Sequence, residues 1–244
     1  MIKASGQTVL ERYQEVLSMI DRTVVQAGRD PSSVRLVVVT KGHPINLVQE
    51  IIDAGATRLG ENYVDEAIVK INALTTGPRV EWHMIGHIQS RKVHSVIKNF
   101  HFVHSLDSYK LAQKFSILGE QDNKQIPVLL ECNVSAENTK FGWQAWDEPE
   151  WSLLAGNLYQ VTELEGIEIR GLMCMAPYSE DPEQARPFFQ RLRRLRDYLA
   201  GEYPNLNWED LSMGMSGDFI TAIQEGATIL RIGTAILGAR GLKS

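Results

Sequence analysis

The sequence predicts an α/β fold, specifically a (β/α)8 TIM barrel with an extra N-terminal helix. Short runs rich in β-branched residues alternate along the chain with segments of helical period, which indicates βαβ units and a parallel sheet. The chain contains eight such runs, and its 244 residues are close to the roughly 250 that a barrel of this kind needs. No linker, low-complexity tract or break in composition interrupts the pattern, so residues 1–244 are expected to form a single domain.

The first expected element is a helix over residues 7–27, where apolar residues recur at three- and four-residue spacing and Gly28 suits the C-cap. The candidate strands lie near residues 35–40, 57–60, 81–86, 101–105, 126–133, 166–173, 209–213 and 228–232. Between them, apolar residues recur at helical spacing within residues 47–52, 64–74, 111–118 and 188–199. Asp147 and Asp181, each followed closely by proline and glutamate, are expected to begin two of the helices.

Composition limits the classes of function. The chain has 25 basic and 30 acidic side chains, a formal net charge of −5, which argues against a broad surface for nucleic acid or anionic membranes. The N-terminal residues lack the apolar stretch of a signal peptide, and no apolar run approaches the roughly 20 residues that would span a bilayer. Cys132 and Cys174 form no paired framework and are expected to be buried, reduced thiols. These features predict a cytoplasmic protein.

Lys41 ends the first predicted strand, directly after an apolar run. Barrels of this class build their functional sites at the carboxyl ends of the strands. A lysine there would hold its amine at the barrel mouth, partly desolvated, and desolvation lowers the pKa of an amine. A neutral amine is what condensation with a carbonyl requires. The alternative is a lysine whose amine extends from the strand end into solvent.

Two loops near the end of the chain have the composition of a phosphate site. Residues 212–218 (Ser-Met-Gly-Met-Ser-Gly-Asp) follow the seventh predicted strand, and Gly233 and Thr234 follow the eighth. The loops after these two strands are the usual phosphate site of the fold. Glycine lets backbone N–H groups approach an anion, helix N-termini favour negative charge, and hydroxyls add donors. The alternative is that these residues serve only turns and caps.

Lys41 and the two loops together predict a ligand that carries both a phosphate and an aldehyde or ketone. A sugar-phosphate aldolase and a protein that binds pyridoxal 5′-phosphate (PLP) both fit that description. Arg231 precedes the second loop, where it could meet a pyridine nitrogen or pair with a carboxylate at the rim. The aldolase interpretation lacks a lysine in the sixth predicted strand, residues 166–173.

Blocks of sequence along nearly the whole chain, in order from about residue 7 to residue 240, resemble the pyridoxal phosphate homeostasis protein family. The most specific are residues 212–219 (Ser-Met-Gly-Met-Ser-Gly-Asp-Phe) and 231–240 (Arg-Ile-Gly-Thr-Ala-Ile-Leu-Gly-Ala-Arg). Residues 60–63 (Gly-Glu-Asn-Tyr) are moderately specific. The chain departs from the usual pattern at Thr40, at residues 42–44 and at Arg91, which affects contacts at the rim rather than the linkage at Lys41.

The resemblance implies a fold like the barrel domain of alanine racemase, a PLP fold-type III arrangement, with PLP held as a Schiff base on Lys41. It implies that Arg231 faces the pyridine nitrogen and makes PLP a weaker electron sink. The remaining cofactor contacts that it implies come from the pocket wall, from beneath the cofactor and from the phosphate loops: Asn62, Asn133, His83, Met173, Ser212, Ser216, Gly233 and Thr234.

Three hypotheses of function follow. The first, which we prefer, is a PLP-binding protein of intracellular vitamin B6 homeostasis that holds PLP as an exchangeable Schiff base without a dedicated catalytic reaction. The second is an amino-acid racemase or a related PLP enzyme, and the third is a Schiff-base aldolase. A racemase needs a second acid or base opposite the lysine, and the sequence offers no additional domain to supply it. A cytoplasmic monomer is expected, with PLP-dependent apo-enzymes as possible partners and with no bound metal.

Overall fold

The computed structural model describes residues 6–74, 80–137 and 140–239. Parallel strands form one continuous sheet, which closes because β9 pairs with β1 and β4 pairs with β5. The strands are β1 (Arg35–Val39), β2 (Arg58–Glu61), β3 (Glu81–Met84), β4 (Phe102–Leu106), β5 (Ile126–Asn133), β6 (Trp143–Gln144), β7 (Ile167–Met173), β8 (Asp210–Ser212) and β9 (Ile229–Ile232). The short strand β6 pairs only with the end of β5, so eight strands form the barrel, as predicted.

Helices connect the strands around the outside of the barrel. They are α1 (Val9–Gln26), α2 (Ile45–Asp53), α3 (Val64–Ala73), α4 (Val93–Asn99), α5 (Tyr109–Gln121), α6 (Trp151–Thr162), α7 (Arg186–Glu202), α8 (Phe219–Gln224) and α9 (Thr234–Leu237). The prediction for residues 7–27 is confirmed by α1, which a Thr8–Glu11 capping box begins and Gly28, with φ of +70°, follows.

The two predicted helix starts differ in the structure. Asp181 accepts a hydrogen bond from Glu183 N and begins a short 3-10 turn, Pro182–Ala185, that leads into α7. Asp147 precedes a similar turn, Glu148–Glu150, but its side chain makes no capping hydrogen bond, so the capping box expected there is wrong. A proline in the first turn removes a backbone donor that such a cap would satisfy.

Two apolar layers support the barrel. The larger lies between the strands and the helices, and the smaller fills the barrel interior with Val37, Leu129, Met173 and Ile229, against which Phe102 packs. Gly171 in β7 has φ of +144°, and a Cβ there would lie 1.9 Å from the carbonyl oxygen of Asp210 in β8. Glycine at this position therefore allows β7 and β8 to approach closely and brings the loops that follow them to the same side of the barrel mouth.

The cysteines, the arginines of α7 and the apolar character of the helices are described next. Cys132 and Cys174 are buried and free, as predicted. The arginines of α7 lie within ion-pair distance of carboxylates, among them Arg186 with Glu183 and Glu225. Within the described part of the chain, no helix combines the length and the apolar character that crossing a bilayer requires.

Candidate functional site

A cavity of about 500 Å³ opens at the carboxyl ends of the strands. That volume is within the range of small-molecule sites. Its wall combines residues from the loops after β1, β2, β3, β7, β8 and β9. Five of the predicted site residues line it: Lys41, Asn62, Ser216, Arg231 and Thr234.

Lys41 lies in the turn that follows β1, half-buried at the cavity wall. The main chain on both sides of it is held by hydrogen bonds. Thr40 N donates to Gly60 O on β2, and Gly42 N donates to the carboxylate of Glu66 on α3 at 2.6 Å. Gly42 has φ of +73°, a conformation that glycine adopts without strain. These hydrogen bonds fix the main chain of the turn, so they also fix the point from which the Lys41 side chain extends.

A buried network of ion pairs and hydrogen bonds holds this turn on the side of α3. Lys70 Nζ on α3 donates to Thr40 O, to Glu61 Oε1 and to Glu66 Oε1, each at 2.7 Å. Thr40 Oγ1 also donates to Glu61 Oε1, at 2.6 Å. Lys70 is 3% exposed and Glu61 is fully buried. Burial raises the pKa of Glu61, and the hydrogen bonds from Lys70 and Thr40 oppose that rise.

Arg231 on β9 brings a buried cation to the cavity. Its Nη2 donates to Cys174 O at 2.9 Å, its Nη1 donates to Ser212 Oγ at 2.5 Å, and the residue is 5% exposed. Burial lowers its pKa, while the nearby Cys174, Glu131 and Asp218 oppose that change. A guanidinium stays protonated in proteins, so Arg231 can only donate hydrogen bonds.

The loops after β8 and β9 meet through Ser216, whose hydroxyl accepts from Ala235 N at 3.2 Å. Asp218 accepts from Met215 N at 2.6 Å and holds the first loop in a tight turn. Gly214 has φ of +92°, and a Cβ there would lie 2.5 Å from the Cβ of Ala222, so the loop needs glycine at this point. Gly233 immediately precedes α9, and Thr234 is exposed at the cavity.

Asn62 presents an unsatisfied acceptor at the cavity. Its Oδ1 is buried and has no hydrogen-bond partner among the described residues. Its main chain lies close to Gly86, where a Cβ would approach Asn62 O to 2.6 Å. A buried acceptor without a donor costs free energy. Its position beside the cavity leaves this oxygen available to a donor on a bound molecule.

The other five predicted residues are not part of the cavity wall: Gly233, which precedes α9, and four residues with side chains inside or beside the barrel. His83 and Ser212 are buried within the barrel, where each contacts His104. Met173 belongs to the apolar interior layer. Asn133 organises the loop after β5, because its Nδ2 donates to Glu137 O and its Oδ1 accepts from Ser135 N. The structure therefore brings together Lys41, Arg231 and the two loops, and it places these four side chains below or beside them.

Two carboxyl groups at or near the site were given no individual role from the sequence. Asp218 lines the cavity, and burial raises its pKa. Glu131 on β5 is buried, and burial together with the charge of Asp107 raises its pKa to about 7, although Arg231 opposes the shift. Its position in an apolar run was the available signal, because a carboxylate in a buried strand needs a cation nearby.

Two other side chains in loops that follow strands of the barrel, His87 and Lys140, make contacts of their own. His87 Nδ1 hydrogen-bonds Asp107 Oδ2 at 2.8 Å. No cluster of potential metal ligands occurs among the described residues. Lys140 donates to Ser135 Oγ and to Met175 O, so its amine is held between its own loop and the loop after β7.

Comparison with known proteins places this barrel in a defined class. The family model described as "Alanine racemase, N-terminal domain" matches residues 20–241. Alanine racemase from Streptomyces coelicolor A3(2) superposes with a TM-score of 0.70 at 17% identity, covering 93% of this chain and 58% of that one. That likeness concerns the fold alone. The fold and site thus define a barrel of the alanine racemase N-terminal domain class.

Closer relatives specify the family. This chain is 39% identical over 231 residues to the pyridoxal phosphate homeostasis protein of Aquifex aeolicus, covering 94% of this chain and 97% of the relative. It is 37% identical over 243 residues to that of Escherichia coli K12, with 95% and 97% covered. The structure of PipY from Synechococcus elongatus with PLP bound superposes with a TM-score of 0.81 at 32% identity, covering 95% of this chain and all of that one. The chain belongs to the pyridoxal phosphate homeostasis protein family.

Proposed function

We propose that this protein binds PLP as an exchangeable Schiff base on Lys41 and serves intracellular PLP homeostasis without a dedicated catalytic reaction. The observation that carries the proposal is the joint placement of Lys41, Arg231 and the two Ser- and Gly-containing loops around one cavity. PipY, a relative of similar length and fold, has a structure with PLP bound.

The polar groups that line the cavity fit such a cofactor. An amine, a buried guanidinium, an unsatisfied amide oxygen on Asn62 and hydroxyls on Ser216 and Thr234 line a cavity of about 500 Å³. PLP would supply an aldehyde for condensation with an amine and a phosphate for anchoring. Lys41 would provide the amine, Ser216, Gly233 and Thr234 would face the phosphate, and Arg231 would donate to the pyridine nitrogen. Asn62 Oδ1 would accept from a polar hydrogen at the ring or linkage.

The first prediction concerns the covalent linkage. The purified protein should gain a visible absorption band on addition of PLP, because an imine between the aldehyde and Lys41 absorbs at longer wavelength than either partner. Borohydride should bleach the band and leave a stable adduct that peptide mapping places on Lys41. A protein that remains colourless at saturating PLP, or an adduct on Lys140, would contradict the assignment.

The lining of the cavity favours retention over turnover. Besides Lys41 and Arg231, the titratable side chains in the described lining are Tyr178, Asp181 and Asp218. The two aspartates accept backbone hydrogen bonds from Glu183 N and Met215 N, and Tyr178 is 92% exposed. Racemisation needs a second acid or base held rigidly opposite the lysine, and a solvated or engaged group serves that role poorly.

The second prediction therefore concerns L- and D-alanine. Incubation of the PLP-loaded protein with either enantiomer should leave its optical activity unchanged over the time in which an authentic alanine racemase reaches equilibrium. The measurement is chiral chromatography of the amino acid, with that racemase as a positive control. Turnover at enzymatic rates would favour the racemase alternative.

The partners of this function are proposed on chemical grounds. An exchangeable linkage suits delivery to PLP-dependent apo-enzymes or buffering of free PLP, and both uses need a site that small molecules can enter. A single domain over residues 1–244, a monomeric state and a cytoplasmic location stay predictions of the sequence.

A further inference from the structure

A chain of hydrogen-bonded side chains crosses the barrel interior below the cavity. It runs from Arg231 on β9 through Ser212 on β8 and His104 on β4 to His83 on β3. His104 Nδ1 lies 2.9 Å from Ser212 Oγ, and His104 Nε2 lies 2.9 Å from His83 Nδ1. Ser212 and His104 are completely buried, so water does not compete for these contacts.

The positions of the hydrogens follow from Arg231. Its guanidinium donates to Ser212 Oγ, so the serine hydrogen must go to a different acceptor, and His104 Nδ1 is the acceptor in contact. His104 then carries its hydrogen on Nε2 and donates to His83 Nδ1. His83 in turn carries its hydrogen on Nε2. Each contact of the chain thus contains one hydrogen.

The far end of the chain faces a carboxylate. His83 Nε2 has no hydrogen-bond partner among the described residues, and Glu81 Oε2 lies 3.7 Å from it. All hydrogens in the chain therefore point from the cation Arg231 toward the anion Glu81. Aligned hydrogen bonds polarise one another and strengthen in a low-dielectric interior.

Both histidines are neutral in this environment. Burial lowers the pKa of His83, although Glu81 opposes the shift. Burial lowers the pKa of His104 well below its usual value, and the positive charges of Arg231 and Arg35 act in the same direction. The arrangement of single hydrogens is therefore maintained at neutral pH.

We propose that Ser212 and His104 are positioning residues that fix the orientation of the Arg231 guanidinium toward the cofactor ring, so that the Ser212 hydroxyl serves Arg231 rather than the phosphate. Cys174 O accepts from the second terminal nitrogen of the guanidinium. With both terminal nitrogens held, rotation of the group is restricted while it remains part of the cavity wall. This role rests on the proposed function, in which Arg231 meets the pyridine nitrogen.

The first test uses the protein without PLP and reads hydrogen positions directly. In 15N NMR of the wild type at pH 7, His83 and His104 should both appear as the neutral Nε2–H form. The guanidinium N–H signals of Arg231 should be resolved, because its rotation is hindered. Ser212→Ala should alter the His104 signals and broaden those of Arg231, and His104→Gln should also broaden the Arg231 signals. Unchanged Arg231 signals in both variants would overturn the proposal.

The second test separates positioning from phosphate contact. Ser212→Ala should raise the PLP dissociation rate about tenfold, as expected for loss of one hydrogen bond to a charged donor. The inhibition constant of inorganic phosphate as a competitor should not change. If inorganic phosphate competes less well in Ser212→Ala while the Arg231 signals are unchanged, the hydroxyl contacts the phosphate group of PLP instead.

Ser105→Ala is the matched control. Ser105 is a fully buried serine on β4 whose hydroxyl donates to Gly86 O at 2.6 Å, outside the chain from Arg231 to His83. This variant loses a comparable buried hydroxyl, so its Arg231 signals should match the wild type. If the wild type binds no PLP, the proposed function fails, but the NMR result still decides whether Ser212 and His104 position Arg231.

Discussion

Replacing Lys41 by alanine is expected to abolish the visible absorption band and all borohydride-stable labelling by PLP. Only a neutral amine can form the proposed linkage. Arg231 and the loops after β8 and β9 cannot take the place of Lys41, because neither offers a neutral nitrogen nucleophile. PLP should still bind reversibly, with the spectrum of the free aldehyde and an affinity at least 100-fold lower. The measurements are an absorption titration and mass spectrometry of the reduced protein.

The controls for this variant separate chemistry from folding. Lys41 is half-buried in a turn, so the free energy of unfolding should change by no more than about 1 kcal/mol. Lys140→Ala removes another lysine of the barrel mouth, whose amine donates to Met175 O, and should keep the band and the labelling. A Lys41→Ala protein that still forms a reducible adduct would move the linkage to a different amine.

The strands were predictable from the sequence because buried parallel strands appear as short apolar runs. In a barrel, residues at the ends of these runs share one mouth, and this predicted that Lys41 and Arg231 would lie at a common cavity, whereas Asn62 was expected there only from the family resemblance. The small strand β6 and the helix α4 were not identified, since two residues and seven residues carry too little periodic pattern.

Side-chain direction was less predictable than strand position. Ser212 and Ser216 both belong to the motif that was assigned to phosphate, yet Ser212 Oγ lies inside the barrel and Ser216 reaches the cavity. In a strand of three residues, a shift of one position exchanges the inward and outward faces, and the sequence does not determine that phase. The contact between His104 and Ser212 also depends on the register of distant strands.

The burial of Lys70 was more predictable from the sequence. It lies three residues after Ala67 and four before Leu74, so it falls on the buried stripe of α3, where an apolar residue is expected. Glu66, four residues earlier, is a partner at helical spacing. A lysine on a buried stripe requires carboxylates inside the protein, and Glu61 supplies the second one.

Lys70→Met is therefore expected to destabilise the protein by about 3–5 kcal/mol, because it leaves the carboxylate of Glu61 buried without its cation. It also removes the hydrogen bond to Thr40 O beside Lys41, so the fraction of protein that forms the PLP linkage should fall. Denaturant unfolding and the PLP absorption titration measure the two effects.

The pH dependence and a double variant test the cause of this destabilisation. The pKa of Glu61 is already raised by burial, and without Lys70 it should rise further. The folded variant then binds a proton more tightly than the unfolded chain, so its stability should fall as pH rises from 5 to 8. Adding Glu61→Gln to Lys70→Met removes the buried charge and should recover most of the stability, while the hydrogen bond from Lys70 to Thr40 O stays absent. If Lys70→Met unfolds like the wild type at pH 8, or the double variant is no more stable than the single one, the network does not support the Lys41 turn in this way.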